Sequence, residues 1–454
     1  MEEKKSHIEN EKIELGSEKD FSFRKYAWRQ FKKNKLAYYS FRILIFLIIL
    51  SVISPVIATD EPLYCKYKGV NMFPAFSLFN KCEIKNVDGS SEIIQYDITD
   101  WKRLDATTII FAPVAYAANK TDYDNADYVS PGGGQVFKDK EGKLLKMPIK
   151  FRHWLGTGKA GEDVLSGLIN GTRISLSIGI LSMLIASFLG IFLGAMAGYF
   201  GDHKLQTTRG SFWTMAIGLL MAYYYGFSVR YYNIIDGFAT SGIAVLFQLL
   251  ISILIFLSVL YLFYMLGKRV GEISFLSTPV FIPVDSIVSR IIEILISMPL
   301  LILIISISAI AKERSIINLM VIIGLTSWTG IARLTRAEFL RISNLEYIQA
   351  AKSMGFKEYR IIFRHALPNA LAPALVAIAF GVASAILIES SLSFLGIGVP
   401  PETITWGALL SAGREQYSAW WLVVFPGLAI FLTVTIYNLL GEGLRDALDP
   451  RLKK

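Results

Sequence analysis

Long apolar runs, rather than a two-faced alternation, organise this chain of 454 residues. About 20 apolar residues cross the roughly 30 Å hydrocarbon core of a bilayer as a helix. Runs at 41–58, 174–200, 238–266, 291–310, 316–332, 373–392 and 420–440 approach or exceed that length. A weaker run at 211–228 carries three tyrosines and two glycines. The pattern predicts an all-α polytopic membrane protein with about eight transmembrane helices.

Charge decides the fate of the weak run. The connection from Arg333 to Asn369 holds seven Lys and Arg residues. With the amino terminus inside, omitting 211–228 alone would turn that connection outward, whereas keeping it places both the connection and the tail 442–454 inside, as the positive-inside rule prefers. The first 40 residues hold ten further Lys and Arg just ahead of the first apolar run. The formal charge of +9 therefore reads as a cytoplasmic anchor and calls for no nucleic acid. No small-residue cleavage site follows the first run, so it is expected to stay as a membrane helix.

The expected organisation is a basic cytoplasmic segment (1–40), a first span (41–58), an outer segment (59–173), a membrane domain (174–441) and a cytoplasmic tail (442–454). Long loops cross largely regardless of charge, so the lysines of the outer segment do not contradict its placement. It contains Cys65 and Cys82, the only cysteines of the chain. An oxidising exterior would permit a disulfide, but their spacing carries no geometric information, and a disulfide and two free thiols both remain open. Asp163 with Val164, Leu165, Leu168 and Ile169 suggests a short amphipathic helix on the outer membrane surface; an ordinary packed helix explains the pattern equally well. Gly190, Gly194 and Gly198 form a small-residue ladder that lets another helix approach closely. Glu389, an ionisable group inside an apolar run, is a candidate for the transport pathway.

The cationic connection has its own local logic. Ser343 and Glu346, three apart, read as a capping box. Leu345, Ile348, Ala351 and Met354 recur at helical spacing up to Gly355, the residue type most tolerant of the left-handed conformation that ends helices. A second short helix is expected next, with Lys357, Arg360, Arg364 and His365 as a basic face. Phe356, Ile361, Ile362 and Phe363 give it apolar knobs, and Pro368 is expected to stop or bend it. An ordinary solvated loop has no need of this spacing.

Tyr347-Ile348-Gln349-Ala350-Ala351-Lys352-Ser353-Met354-Gly355, followed after nine residues by His365-Ala366-Leu367-Pro368-Asn369, resembles the cytoplasmic EAA loop by which permeases of ATP-binding-cassette (ABC) importers grip their ATPase. The resemblance makes Gln349, Ala350, Ala351, Gly355, Phe356, Lys357, His365, Leu367 and Pro368 the coupling residues, within a loop spanning 333–372. His153-Trp154-Leu155-Gly156-Thr157, Gly171-Thr172-Arg173, Glu389-Ser390-Ser391, Trp406-Gly407 and the tail through Asp449-Pro450 are similar to dipeptide and oligopeptide permeases. Within that family the second, C-type subunit is the better match. The implied fold is the type I ABC importer transmembrane domain. The implied partners are a B-type permease, two cytoplasmic ATPases, an extracytoplasmic peptide-binding protein and a peptide substrate, in the cytoplasmic (inner) membrane with both termini inside.

Several positions depart from the family pattern. Gly158 stands where Asp is usual, Glu162 where Arg is frequent, and Gln349 replaces the glutamate of the EAA motif. The outer segment is similar to the longer loops of the microcin-C uptake branch, notably at Ala112-Pro113-Val114 and Ser130-Pro131, and the block 210–283 adds two spans to the usual six. Gly156-Thr157-Gly158-Lys159 evokes a phosphate loop, but His153 and Ala160 break the pattern. The four scattered histidines complete no metal site, no nucleophile constellation is visible, and no cofactor is expected. The chain reads as non-catalytic, with ATP hydrolysis on its partners. A non-transporting membrane receptor or scaffold, and an importer of nickel or another small solute, are the rival readings.

Overall fold

In a computed structural model, residues 23–448 are described except 78–79, 86–90, 139–142, 241 and 311–314. The expectations placed on residues 1–22 and on Asp449-Pro450 lie outside them. Six helices are long and apolar enough to cross a membrane: Lys35–Ile57, Val164–Phe200, Phe247–Val270, Ile316–Ile342, Glu358–Phe394 and Trp421–Leu448. Val284–Ser297 and Leu300–Ile310 would make a seventh crossing, bent by 92°. Pro299 sits in that break, where it lacks the N–H that would continue the ladder. The weak run divides into a helix, Arg209–Tyr223, and a π turn, Tyr224–Ser228, and is not one of the six.

The described chain falls into two units. The first comprises residues up to Phe192, then Leu295–Thr335 and Phe363 onward. In it α1 (Phe23–Lys33) and α2 (Lys35–Ile57) lie against the carboxy-terminal helix α14 (Trp421–Leu448). Phe31, Ala37 and Ala447 form their buried contact. Asn34 joins the two ends: its Oδ1 accepts from the Ala37 N–H, capping α2, and its Nδ2 donates to Asp446. Capping of this kind stabilises a helix by about 1 kcal/mol.

Ahead of Val164, the described residues of the outer segment form mainly short strands. β1 (Tyr64–Tyr67), β2 (Val70–Met72) and β5 (Thr108–Ile110) make one antiparallel sheet, β3 (Lys81–Lys85) pairs with β4 (Ser91–Gln95), and β6 (Val136–Lys138) pairs with β7 (Leu144–Lys146). Strands of three to five residues are too short to leave a readable alternation. Cys65, Met72, Ile84, Ile94, Tyr96 and Trp101 form a core beneath β1 to β5, with Cys82 packed against it. Both cysteines are free thiols in this fold, one of the two arrangements that the sequence leaves open. Each lies on a different sheet, and burial pushes the Cys65 thiol above its ordinary value, holding it protonated and unreactive.

Helix α3 (Val164–Phe200) is continuous over 37 residues, about 55 Å at the helical rise. The expected separate surface helix is therefore its first turns, running beyond the hydrocarbon thickness. Gly190 serves close packing: a Cβ there would lie 2.8 Å from the Trp328 carbonyl of α9 (Ile316–Ile342).

The second unit comprises Leu193–Ile294 and Arg336–Ile362. Its inserted helices α4 (Arg209–Tyr223) and α6 (Gly242–Val270) pack closely, with α5 (Tyr231–Thr240) between them in sequence. A Cβ on Gly218 would fall 2.7 Å from the Phe263 ring, so glycine is what allows the approach. Arg230 donates to Ser252 Oγ and Gln248 Oε1, and β8 (Gln206–Thr208) pairs with β9 (Pro279–Phe281) across the base of the insert. α7 (Val284–Ser297) starts on Asp202, which accepts from the Ser286 N–H and Oγ.

Candidate functional site

The EAA-like loop leaves the end of α9 and turns at Ser343. Helix α10 (Glu346–Ser353) begins where expected, but the capping box does not form: Leu345 is the N-cap and no side chain caps it. The Ser343 hydroxyl donates instead to the Leu340 carbonyl, and the Ser343 carbonyl accepts from Gln349 Nε2 at 3.0 Å. A glutamate at 349 cannot make that donation, so the replacement of the motif's acid is matched to the turn it closes.

Gly355 has φ +73°. Its N–H donates to the Lys352 carbonyl and the Phe356 N–H reaches back to the Ala351 carbonyl. The six-residue return closes the orphan carbonyls of α10 in the Schellman manner. Helix α11 (Glu358–Arg360) then passes through a π turn, Ile361–Ala366, into α12 (Leu367–Phe394). Pro368 therefore neither stops nor splits the helix: it occupies the first turn of α12, where its missing N–H is accommodated, and the π turn lies directly before it.

Exposure sorts the predicted coupling residues. Ile348, Ala351 and Ile361 are buried within the chain, so Ala351 and Ile361 are packing residues and not knobs offered to a partner. Gln349, Ala350, Gly355, Lys357 and Pro368 are exposed, while Phe356, His365 and Leu367 are half-buried. Met354, Tyr359 and Phe363 expose large apolar surfaces. The Arg360 guanidinium lies 4.8 Å from the centre of the Phe356 ring.

One supporting residue left no signal in the sequence. Tyr199, near the end of α3, is buried, and its hydroxyl donates to Glu358 Oε2. Lys352 and Lys204 both lie over its ring, 5.2 and 5.0 Å from the centroid. Burial, reinforced by the Lys352 ammonium, lowers the Lys204 pKa. Arg336 Nη2 donates to Asp285 Oδ2 at 2.6 Å, with a second bond from Nε to Oδ1. A Cβ on Gly198 would press within 2.7 Å of Phe339, so the end of α3 and the last turns of α9 meet closely at the base of the loop.

Glu389 is enclosed by hydroxyls. Its carboxylate is fully buried, accepts from Ser393 Oγ at 2.8 Å and from Ser390, and is also bonded to Thr405. Thr405 in turn caps α13 (Trp406–Glu415). These hydroxyls give the buried carboxylate its hydrogen-bond partners. Arg173 and Glu402 line a cavity of about 410 Å³ with Asn170, Thr59 and Ile316.

The motif residues ahead of α3 hold the outer segment to that helix. His153 is completely buried, with Nδ1 2.8 Å from Asp163 Oδ2 and Nε2 3.1 Å from Asp122 Oδ2. Asp163 Oδ1 also accepts from the Ser166 N–H at 2.6 Å, capping α3. Thr157 donates to the Asn125 carbonyl, and its own carbonyl accepts from Trp421 Nε1. Trp406 Nε1 donates to the Leu168 carbonyl. The two departures at 158 and 162 are neighbours: a Cβ on Gly158 would lie 2.6 Å from Glu162 Oε2. Glycine here makes room for an acid that an aspartate would repel. Among the described residues no His, Cys, Asp and Glu group could hold a metal ion.

Residues 273–454 match the family described as binding-protein-dependent transport system inner membrane component, and residues 22–69 match the N-terminal transmembrane domain of oligopeptide transport permease C. The glutathione transport system permease GsiD of Pectobacterium atrosepticum is 32% identical, over 72% of this chain and 82% of its own. The peptidoglycan transport system permease YejE of Agrobacterium fabrum is 27% identical over 94% and 93%, respectively. The inner membrane ABC transporter permease YejE of Escherichia coli is 28% identical over 93% and 96%. With its apolar helices, these matches make the chain a multi-pass inner membrane protein, and it belongs to the binding-protein-dependent ABC transport permeases, in the C-type branch of the oligopeptide and dipeptide permeases.

Proposed function

We propose that this chain forms half of the translocation pathway of an ATP-driven importer of short peptides, and that residues 343–369 receive the ATPase. The observation that carries the reading is the Gly355 turn, around which Met354, Lys357, Tyr359 and Arg360 are exposed. Coupling then belongs to Gln349, Ala350, Gly355, Phe356, Lys357, His365, Leu367 and Pro368, with Ala351 shaping the helix from within. The partners are a B-type permease, two cytoplasmic ATPases and an extracytoplasmic peptide-binding protein. Relatives named for dipeptide, glutathione and peptidoglycan transport favour a cargo with amide bonds.

The charge distribution favours cytoplasmic termini, an outer segment at 59–173 and eight crossings, with 211–228 inserted as a short, π-terminated span. The cavity at Arg173 and Glu402 lies among residues bordering that outer segment and is a better candidate for cargo contact than Glu389. ATP binding closes the nucleotide-binding pair and the loop carries that motion to the membrane helices; hydrolysis resets them.

The test is uptake of labelled peptide and stimulated ATP hydrolysis in vesicles holding the whole complex, with permease abundance measured alongside. Gly355→Asp should leave the permease inserted while abolishing both activities, and Lys352→Gln should change little. Normal coupled transport by Gly355→Asp would remove the loop from the transmission path and restore the receptor or scaffold alternative.

A further inference from the structure

A second cavity, of about 440 Å³, opens within the outer segment, inside the range of small-ligand sites. Most charges on its wall are already committed. Lys120 pairs with Asp60 at 2.9 Å, Lys138 with Asp124, and Arg103 with Asp100 at 3.4 Å. Asp122 accepts from Asn125 and is bonded to His153. The exception is Lys102. This half-buried side chain carries its ammonium over the Tyr116 ring, 3.2 Å from the centroid, and 5.3 Å from that of Phe151. Among the described residues it has no carboxylate within ion-pair distance.

A cation held by an aromatic face is only partly compensated for lost water. Burial lowers the Lys102 pKa to about 8, against the opposing pull of Asp122 and Asp100. An incoming carboxylate would supply the missing partner and restore the charged form. The remaining wall is balanced rather than cationic, with Asp60 and Asp100 facing the same space. Each of these carboxylates already has one cationic partner, Lys120 or Arg103, and keeps further lone pairs that a ligand ammonium can share. A zwitterion with its ammonium several ångströms from its carboxylate can satisfy both Lys102 and these acids.

We propose that this cavity binds a small zwitterion, of the size of an amino acid or dipeptide, with its carboxylate on Lys102 and its ammonium toward Asp60 and Asp100. The proposal stands independently of the importer reading, because the cavity lies wholly within the outer segment. It is also connected to the membrane helix by contact: Asp122 lines it, is bonded to His153, and His153 is bonded to the Asp163 cap of α3.

The experiment is calorimetric titration of the full-length chain in lipid nanodiscs with dialanine, its C-terminal amide and its N-acetyl form. Dialanine should bind saturably, and both blocked forms should bind about tenfold more weakly, a loss of one ion pair. Lys102→Met should lower dialanine affinity by a similar factor, and Lys102→Arg should retain it. Gly355→Asp should bind as the wild type does, so a failed transport reading leaves this result distinct. Equal affinity for dialanine and its amide, an unchanged Lys102→Met, or no saturable binding below about 10 mM would overturn the proposal. Should Lys102→Met not fold, the three ligands on the wild-type chain still decide it.

Discussion

Tyr199 and Glu358, 159 residues apart, share a hydrogen bond in which the buried phenol donates to Glu358 Oε2. One end of that bond is on the long helix α3 and the other on the first turn after Gly355. In the proposed coupling, a motion of the loop would reach α3 through this bond.

Tyr199→Phe should loosen that link without removing the ring that Lys204 and Lys352 cover. Hydrogen bonds to charged groups contribute about 1.5–3 kcal/mol. We expect normal insertion, unaltered basal ATP hydrolysis and a several-fold fall in peptide-stimulated hydrolysis in reconstituted complexes. A variant indistinguishable from the wild type in stimulation would show that the bond transmits nothing.

Substitutions at Gly355 separate strain from docking. A Cβ there meets nothing within 4 Å, so the intrachain cost is the positive φ alone, about 1–2 kcal/mol for an ordinary L-residue and less for Asn. Gly355→Asn should keep most ATPase affinity, and Gly355→Val should lose about tenfold or more. Pull-down of the ATPase by detergent-solubilised permease reads the ranking. Ala351→Asp differs in kind: burying a carboxylate beneath α10 costs several kcal/mol, so reduced permease abundance is expected, measured by immunoblot of membranes.

Gln349→Glu should be unfavourable although it restores the family's residue. The amide donates to the Ser343 carbonyl, and a carboxylate would place two acceptors together. A loss of about 1–3 kcal/mol in local stability should appear as faster hydrogen exchange across 343–353. Unchanged protection would show that the turn is held by its backbone alone.

The outer segment should respond to pH through His153. Burial alone would lower its pKa, but the bonds to Asp122 and Asp163 outweigh burial and raise it. A raised folded-state value means that its contribution is fully present below the ordinary value of about 6.5 and fades as pH climbs through the folded-state pKa. Asp122 behaves oppositely. Although burial opposes it, the bonds from His153 and Asn125 lower its pKa, so its contribution is present above about 3.8 and fades as pH falls further. Protection factors over 116–163, corrected for the intrinsic pH dependence of amide exchange, should be highest at mildly acidic pH and fall toward pH 9. His153→Gln should flatten that alkaline slope; an unchanged slope would assign it to other groups.

Gly158→Asp should destabilise the turn before α3 by placing a second acid beside Glu162, and Gly158→Asp combined with Glu162→Arg should recover the loss. A thermal-shift series in detergent reads the cycle. Additive effects would mean that the two positions do not interact.

The sequence alone determined what depends on composition and local conformation. Apolar runs of bilayer length located the six long helices, because burial in lipid needs only length and the absence of charge. Gly355 announced its left-handed turn because few other residues adopt that conformation cheaply. The tertiary structure decided what depends on neighbours distant in the chain. Tyr199 beneath Glu358, His153 between Asp122 and Asp163, and Lys102 over Tyr116 leave no periodic trace, since each acquires its role only when separate segments meet. Glu389 read as exceptional by the cost of an ion in lipid, and the fold sets three hydroxyls from separate positions against that carboxylate. Ser343 and Glu346 had the spacing of a capping box, but the Ser343 N–H and hydroxyl donate to the Phe339 and Leu340 carbonyls, and Gln349 closes the turn on the Ser343 carbonyl. The short strands of the outer segment were invisible for a related reason: with three to five residues each, they are held by cross-strand partners and by the core around Cys65 and Trp101, not by any preference of their own.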